Sequence, residues 1–105
     1  MAPALEIHRR PLDDGVELEL RGELEIATVS LLRRVLHELR DEDVSRVRLD
    51  ISGLDFVDST GLRALLVAHR EASVAGWELA LTRAPAHVQQ MFELTRTEGL
   101  LPFED

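Results

Sequence analysis

The spacing of apolar residues changes period repeatedly along the chain, and this constrains the fold more than any other feature. Leu5 and Ile7 alternate with polar neighbours, "PLDDG" intervenes, and Val16, Leu18 and Leu20 alternate with Glu17, Glu19 and Arg21. Alternation places every second side chain on one face, so the pattern predicts two strands joined by a Gly-containing turn, the second ending at Gly22. From about Ile26 the period lengthens. Val29, Leu32, Val35, Leu36 and Leu39 recur at three- and four-residue steps, the mark of an amphipathic helix, with Arg33, Arg34 and Arg40 off its apolar stripe. Asp41-Glu42-Asp43 is a solvated connection. "RVRLDIS" alternates again through Val47, Leu49 and Ile51, and Phe56 and Val57 carry apolar character on toward Asp58. A second helix is predicted from about Thr60, with Leu62, Leu65, Leu66 and His69 on one stripe and Gly76 as its stop. Trp77, Leu79 and Leu81 predict a fourth strand. Pro85 suits the first turn of a third helix carrying Val88, Met91, Phe92 and Leu94. Leu100 to Phe103 reads as a short last strand, at an edge because of Pro102.

The resulting order, β-β-α-β-α-β-α-β, predicts an α/β fold: a mixed sheet of about four or five strands covered by helices. Crossover helices make its later strands parallel, and the opening hairpin adds an antiparallel pair. A length of 105 residues predicts one domain, 1–105, able to bury a core without staples. With only three Phe and one Trp, that core must be aliphatic.

The formal net charge of −8 sets an electrostatic preference. Such a field repels phosphate backbones and anionic membranes and favours a partner with a basic patch, so direct nucleic-acid binding is not expected. "MAPALEIHRRPLDDG" has no long apolar segment of the signal-peptide kind, and no apolar run approaches a membrane span, so no membrane insertion is expected. The absence of cysteine removes disulfides and thiolate chemistry and is compatible with the cytoplasm.

Enzyme constellations find little support, and no catalytic residue, metal or cofactor is expected. Ser59 is not in a G-x-S-x-G elbow. His8, His37, His69 and His87 are scattered over different elements, without metal-ligand spacing. Asp55 and Asp58 stand three apart, unlike the closer aspartate pair of aspartyl phosphotransferases. Asp50 reads as a solvated carboxylate on the polar side of its strand. No phosphate-binding G-x-x-x-x-G-K-[ST] is present.

The junction Asp58-Ser59-Thr60-Gly61 stands apart. Asp58 or Ser59 can accept a hydrogen bond from the orphan N–H groups of the following helix, and a cap of that kind contributes about 1 kcal/mol. A cap alone does not require three polar residues in a row. A serine at a helix start is accessible, and a phosphate there would meet free N–H groups and the positive end of the helix dipole, opposed by Asp58. Both readings, helix cap and modifiable switch, are compatible with the residues.

The segment Phe56-Val57-Asp58-Ser59-Thr60-Gly61-Leu62 resembles the signature of the STAS family, the sulfate-transporter and anti-sigma-factor-antagonist domain. Gly22-Glu23-Leu24-Glu25 resembles its G-E-L-D signature, with Glu25 in place of the aspartate, and "AGWELALTRAPAHVQQMFELT" is similar to its later strand, turn and helix. The resemblance runs from about residue 5 to 103. It departs where Thr95-Arg96-Thr97 replaces a T-G-L-like helix stop, and the long terminal helix of some members is not evident. Single-domain members of this size imply a bacterial anti-sigma factor antagonist. Its unmodified form would bind an anti-sigma factor that is also a serine kinase. Phosphorylation, mapped onto Ser59, would end that binding, and a PP2C-type phosphatase would reverse it. The resemblance implies that Glu25, Thr28, Asp58, Thr60 and Gly61 surround this switch, and weak homo-oligomerisation is compatible with it. Two other roles stay open: a STAS module in a stress-signalling scaffold or a lipid or anion transport system, and a hydrolase using Asp58 and Ser59.

Overall fold

Asp13 and Asp14 turn the chain between its first two strands, β1 (Leu5–Leu12) and β2 (Gly15–Leu24), which pair antiparallel from Leu12↔Gly15 to Leu5↔Gly22. A computed structural model describes residues 4–104. The chain continues through α1 (Val29–Asp41), β3 (Arg46–Val57), α2 (Ser59–Ala75), β4 (Glu78–Leu81), α3 (Ala86–Leu94) and a single 3-10 turn, Glu98–Leu100. The four strands form one mixed sheet in the order β1-β2-β3-β4, with β2, β3 and β4 mutually parallel. Among the described residues no helix is long and apolar enough to cross a membrane.

The alternation of the strands determines where the core lies. Val16, Leu18 and Leu20 of β2, Val47, Leu49 and Ile51 of β3 and Leu79 and Leu81 of β4 are buried on one face. Leu32 and Leu39 of α1, Leu65, Ala68 and Ala72 of α2 and Val88 and Phe92 of α3 complete the same hydrophobic cluster. The opposite face is polar. Arg10, Glu17 and Arg48 stand in register across β1, β2 and β3. Glu17 is 2% exposed and lies between the guanidinium groups of Arg10 and Arg48, while Arg48 also donates to Glu104 at 2.5 Å. A buried carboxylate requires such partners. Asp50, expected to be solvated, is half-buried on this face: Oδ1 accepts from the Ser52 N–H at 3.0 Å, the Ser52 hydroxyl at 2.6 Å and the Thr82 hydroxyl at 3.2 Å.

The ends of the elements depart from the sequence reading for local reasons. Helix α1 starts at Val29, three residues after Ile26, because residues 25–28 close a turn in which the Thr28 N–H donates to the Glu25 carbonyl at 2.9 Å. Leu100–Phe103 is not a strand. Its only pairing is one parallel bridge, Leu81↔Phe103, where the Leu81 N–H donates to the Pro102 carbonyl and the Glu104 N–H to the Leu81 carbonyl. At the end of α3 the missing glycine is replaced by Arg96, which itself adopts left-handed geometry with φ of 59°. That lets the Thr97 N–H reach the Phe92 carbonyl at 2.9 Å.

Candidate functional site

The C-terminal ends of β2 and β3 run side by side, in register from Glu23↔Phe56 to Leu24↔Val57, and each opens into a helix. Irregular pairing around Gly22 bends β2 here. Gly22 has φ of 109°, a left-handed conformation costly for any residue with a Cβ. The two outgoing segments, 25–28 and 58–61, therefore leave the sheet as neighbours.

Asp58 joins them. It is the N-cap of α2, and its Oδ1 accepts from the Gly61 N–H at 2.7 Å. Its Oδ2 accepts from the Ile26 N–H at 3.2 Å, in the loop between β2 and α1. One carboxylate thus satisfies an orphan donor of the helix and fixes the adjacent loop. The backbone adds a third tie, from the Asp58 N–H to the Leu24 carbonyl at 3.3 Å.

The loop is braced internally as well. The Thr28 hydroxyl donates to the Glu23 carbonyl at 2.7 Å and accepts from the Glu25 N–H at 3.0 Å, and Thr28 is buried. Glu25 turns back on its own loop, its Oε1 accepting from the Ala27 N–H at 2.8 Å. Gly61 explains itself by proximity: a Cβ built there would lie 2.9 Å from the Leu24 carbonyl carbon, 3.1 Å from Leu24 Cγ and closer still to the carbonyl oxygen. Only glycine lets α2 begin so near the end of β2.

Ser59 is the first residue of α2 and is exposed, whereas Thr60 is half-buried. The first turn donates from Gly61 to the Asp58 side chain and from Leu62 to the Asp58 carbonyl at 2.9 Å. The N–H groups of Ser59 and Thr60 lie at the helix end, where no intrahelical acceptor exists. The cap and the accessible hydroxyl are therefore different residues: Asp58 performs the first role and Ser59 offers the second. The six residues singled out in the sequence gather at this one end of the sheet, with Thr28 beneath the surface as a brace.

Two residues at this end were not anticipated as parts of a site. Ile26 is 72% exposed and Phe56 49% exposed. Only Phe56 carries a signal in the sequence, since it breaks the alternation of β3 one residue before Val57; Ile26 falls in step with Val29 and Leu32 and reads as helix. Phe56 is two residues before the capping aspartate, and the Ile26 backbone is bonded to that aspartate.

The family model described as "Mlab, STAS domain" matches residues 7–102. A Bordetella bronchiseptica protein named as a candidate anti-sigma factor antagonist, BtrV, is 30% identical over 83 residues, 79% of this chain and 72% of that protein. Among solved structures, an anti-sigma factor antagonist from Mycobacterium paratuberculosis superposes with a TM-score of 0.82 at 16% identity, covering 95% of this chain and 85% of that one. Unphosphorylated SpoIIAA, also an anti-sigma factor antagonist, gives 0.74 at 19% identity over 97% and 89% of the two chains. The phosphorylated form of the Bacillus protein gives 0.69 at 18% identity over 97% and 92%.

Proposed function

The chain belongs to the STAS domain family, and from that membership we propose that it is an anti-sigma factor antagonist switched by phosphorylation of Ser59. In its unmodified form it binds an anti-sigma factor that doubles as a serine kinase, and so frees a sigma factor in the bacterial cytoplasm. The chain acts by binding and contributes no catalysis of its own. ATP bound to the partner supplies the phosphoryl group. The Ser59 Oγ attacks the γ-phosphorus, the bond to the ADP oxygen breaks, and the hydroxyl proton leaves to a base of the kinase. A PP2C-type phosphatase hydrolyses the serine phosphate and restores the binding form.

The observation that carries this reading is the separation of duties at the head of α2. Asp58 holds the helix start and the neighbouring loop through Gly61 and Ile26, and the adjacent Ser59 hydroxyl is exposed. A phosphate there adds about 1.5 to 2 negative charges to a chain already at −8. The helix dipole and the free N–H groups of Ser59 and Thr60 favour it, and the nearby Asp58 carboxylate opposes it. These local effects have opposite signs, so the fold survives while the surface changes. The similarity to SpoIIAA, solved in both phosphorylated and unphosphorylated forms, supports the reading.

The test is incubation with the cognate kinase and ATP, followed by peptide mass mapping. One phosphate is expected, on Ser59. Phosphate on Thr60 or Thr28 instead would overturn the assignment.

A further inference from the structure

A kinase can phosphorylate Ser59 only if its active site approaches the Ser59 hydroxyl to bonding distance, so whatever surrounds that hydroxyl is covered in the complex. Two large exposed apolar side chains lie on the segments that adjoin it. Ile26, 72% exposed, sits on the loop whose N–H is held by the Asp58 carboxylate at 3.2 Å. Phe56, 49% exposed, lies three residues before Ser59, which extended backbone spans in about 10 Å at most. We infer that Ile26 is the apolar anchor of the anti-sigma factor interface, with Phe56 beside it, and that the two place Ser59 at a dry part of the contact. This rests on the reading of the chain as an antagonist.

Three observations carry it. First, Ile26 has no structural duty for its side chain: α1 starts at Val29, and the buried residues of α1 are Val29, Leu32 and Leu39. Second, its backbone is rigid, tied by Asp58 from one side and by the braced turn of Glu25 and Thr28 from the other. An apolar side chain on an immobilised backbone gives up little freedom on docking, which is what an anchor requires. Third, electrostatics alone does not explain how a phosphate would expel the partner. A chain at −8 suits a basic partner, which a further negative charge would attract. A phosphate on Ser59, in a contact anchored by Ile26, would instead have to shed its water against apolar groups, with the adjacent residue, Asp58, of like charge. Two backbone N–H groups satisfy only part of such a dianion, and burial of an incompletely paired charge opposes binding whatever the sign of the partner's surface.

The experiment uses the purified kinase that phosphorylates wild-type Ser59, titrated calorimetrically with wild type, Ile26→Ala, Ile26→Leu and Phe56→Ala in the unphosphorylated state. Thermal unfolding of each variant runs alongside, and Ser59 phosphorylation is followed at varied concentration of each variant. Ile26→Ala is expected to weaken binding about 10- to 100-fold and to raise KM with little change in kcat, at an unchanged Tm. Phe56→Ala loses less, and Ile26→Leu recovers binding to within about threefold. For wild type phosphorylated on Ser59, affinity stays low as salt is raised, because screening relieves repulsion but not desolvation. If wild type binds and is phosphorylated on Ser59 while Ile26→Ala matches it in Kd and KM, the anchor is refuted and the antagonist reading stands. If salt restores binding of the phosphorylated protein, the dry contact is refuted. If no kinase modifies wild type on Ser59, the antagonist reading fails and the anchor with it.

Discussion

Substituting Gly61→Ala tests whether the head of α2 is as closely packed against β2 as the geometry shows. The new methyl would lie 2.9 Å from the Leu24 carbonyl carbon and 3.1 Å from its Cγ, where carbon contacts ordinarily stay beyond about 3.4 Å. Neither neighbour can give way cheaply. Leu24 is fully buried, and its carbonyl accepts from the Asp58 N–H. The helix start must retreat instead, and the 2.7 Å bond from Gly61 to Asp58 lies on the moving segment. Overpacking of this kind costs about 1–3 kcal/mol. A weakened cap adds about 1 kcal/mol, and the better helix propensity of alanine returns up to about 1 kcal/mol. The net expectation is about 1–3 kcal/mol of destabilisation, a fall in Tm of about 10 °C near the middle of that range. Urea unfolding followed by far-ultraviolet circular dichroism measures it, with Gly99→Ala, whose added methyl meets nothing within 4 Å, as the near-neutral control. A Gly61→Ala midpoint equal to wild type would show that the β2–α2 junction has slack, and the account of Gly61 would be wrong.

Thr28→Val removes a hydroxyl that serves Glu23 and Glu25 at once, and should destabilise by about 1–3 kcal/mol in urea unfolding because both backbone groups lose a partner. Ser59→Ala, at an exposed first-turn position that is not the cap, should shift stability by less than about 0.5 kcal/mol and leave the circular dichroism spectrum unchanged. Arg96→Gly should stabilise by about 0.5–1 kcal/mol, since it relieves a side chain held at φ of 59°; an unchanged or lowered urea midpoint would contradict this. Burial pushes the Asp50 carboxyl up, but the Ser52 hydroxyl and N–H, the Thr82 hydroxyl and the Arg48 charge together hold it below the usual carboxylate range. A folded pKa below the unfolded one adds stability that is fully present above the unfolded value and is lost as pH falls through the folded one. The stability gap between wild type and Asp50→Asn should therefore close on acidification from pH 6 to pH 2, and a gap independent of pH would refute the role given to Asp50.

The order of elements was legible because strands and helices bury apolar residues at different periods. The alternation of Val16, Leu18 and Leu20 and the three- and four-residue steps of Val29, Leu32 and Leu36 leave little room for another assignment. The gathering of Glu25, Thr28, Asp58 and Ser59 was legible only through family resemblance, since sequence spacing does not show that β2 and β3 are neighbours. What escaped was decided by single hydrogen bonds. The Thr28 turn delays α1 beyond Ile26, and one bridge to Leu81 replaces a fifth strand. Neither leaves a periodic trace. Ile26 was misjudged for the same reason: read as the start of a helix, it belongs to a loop that Asp58 fixes from another part of the chain.

The row of Arg10, Glu17, Arg48 and Glu104 gives the molecule a back. A sheet face lined with matched charges offers little apolar surface on which another sheet could stack. It also offers a handle. His8 lies on that side with its side chain 59% exposed, opposite Glu19 and so five residues short of the end of β2 that adjoins Asp58. A protein immobilised on a sensor surface through a cysteine placed at position 8 would present its switching end to solution, and both states of Ser59 could be assayed in one orientation.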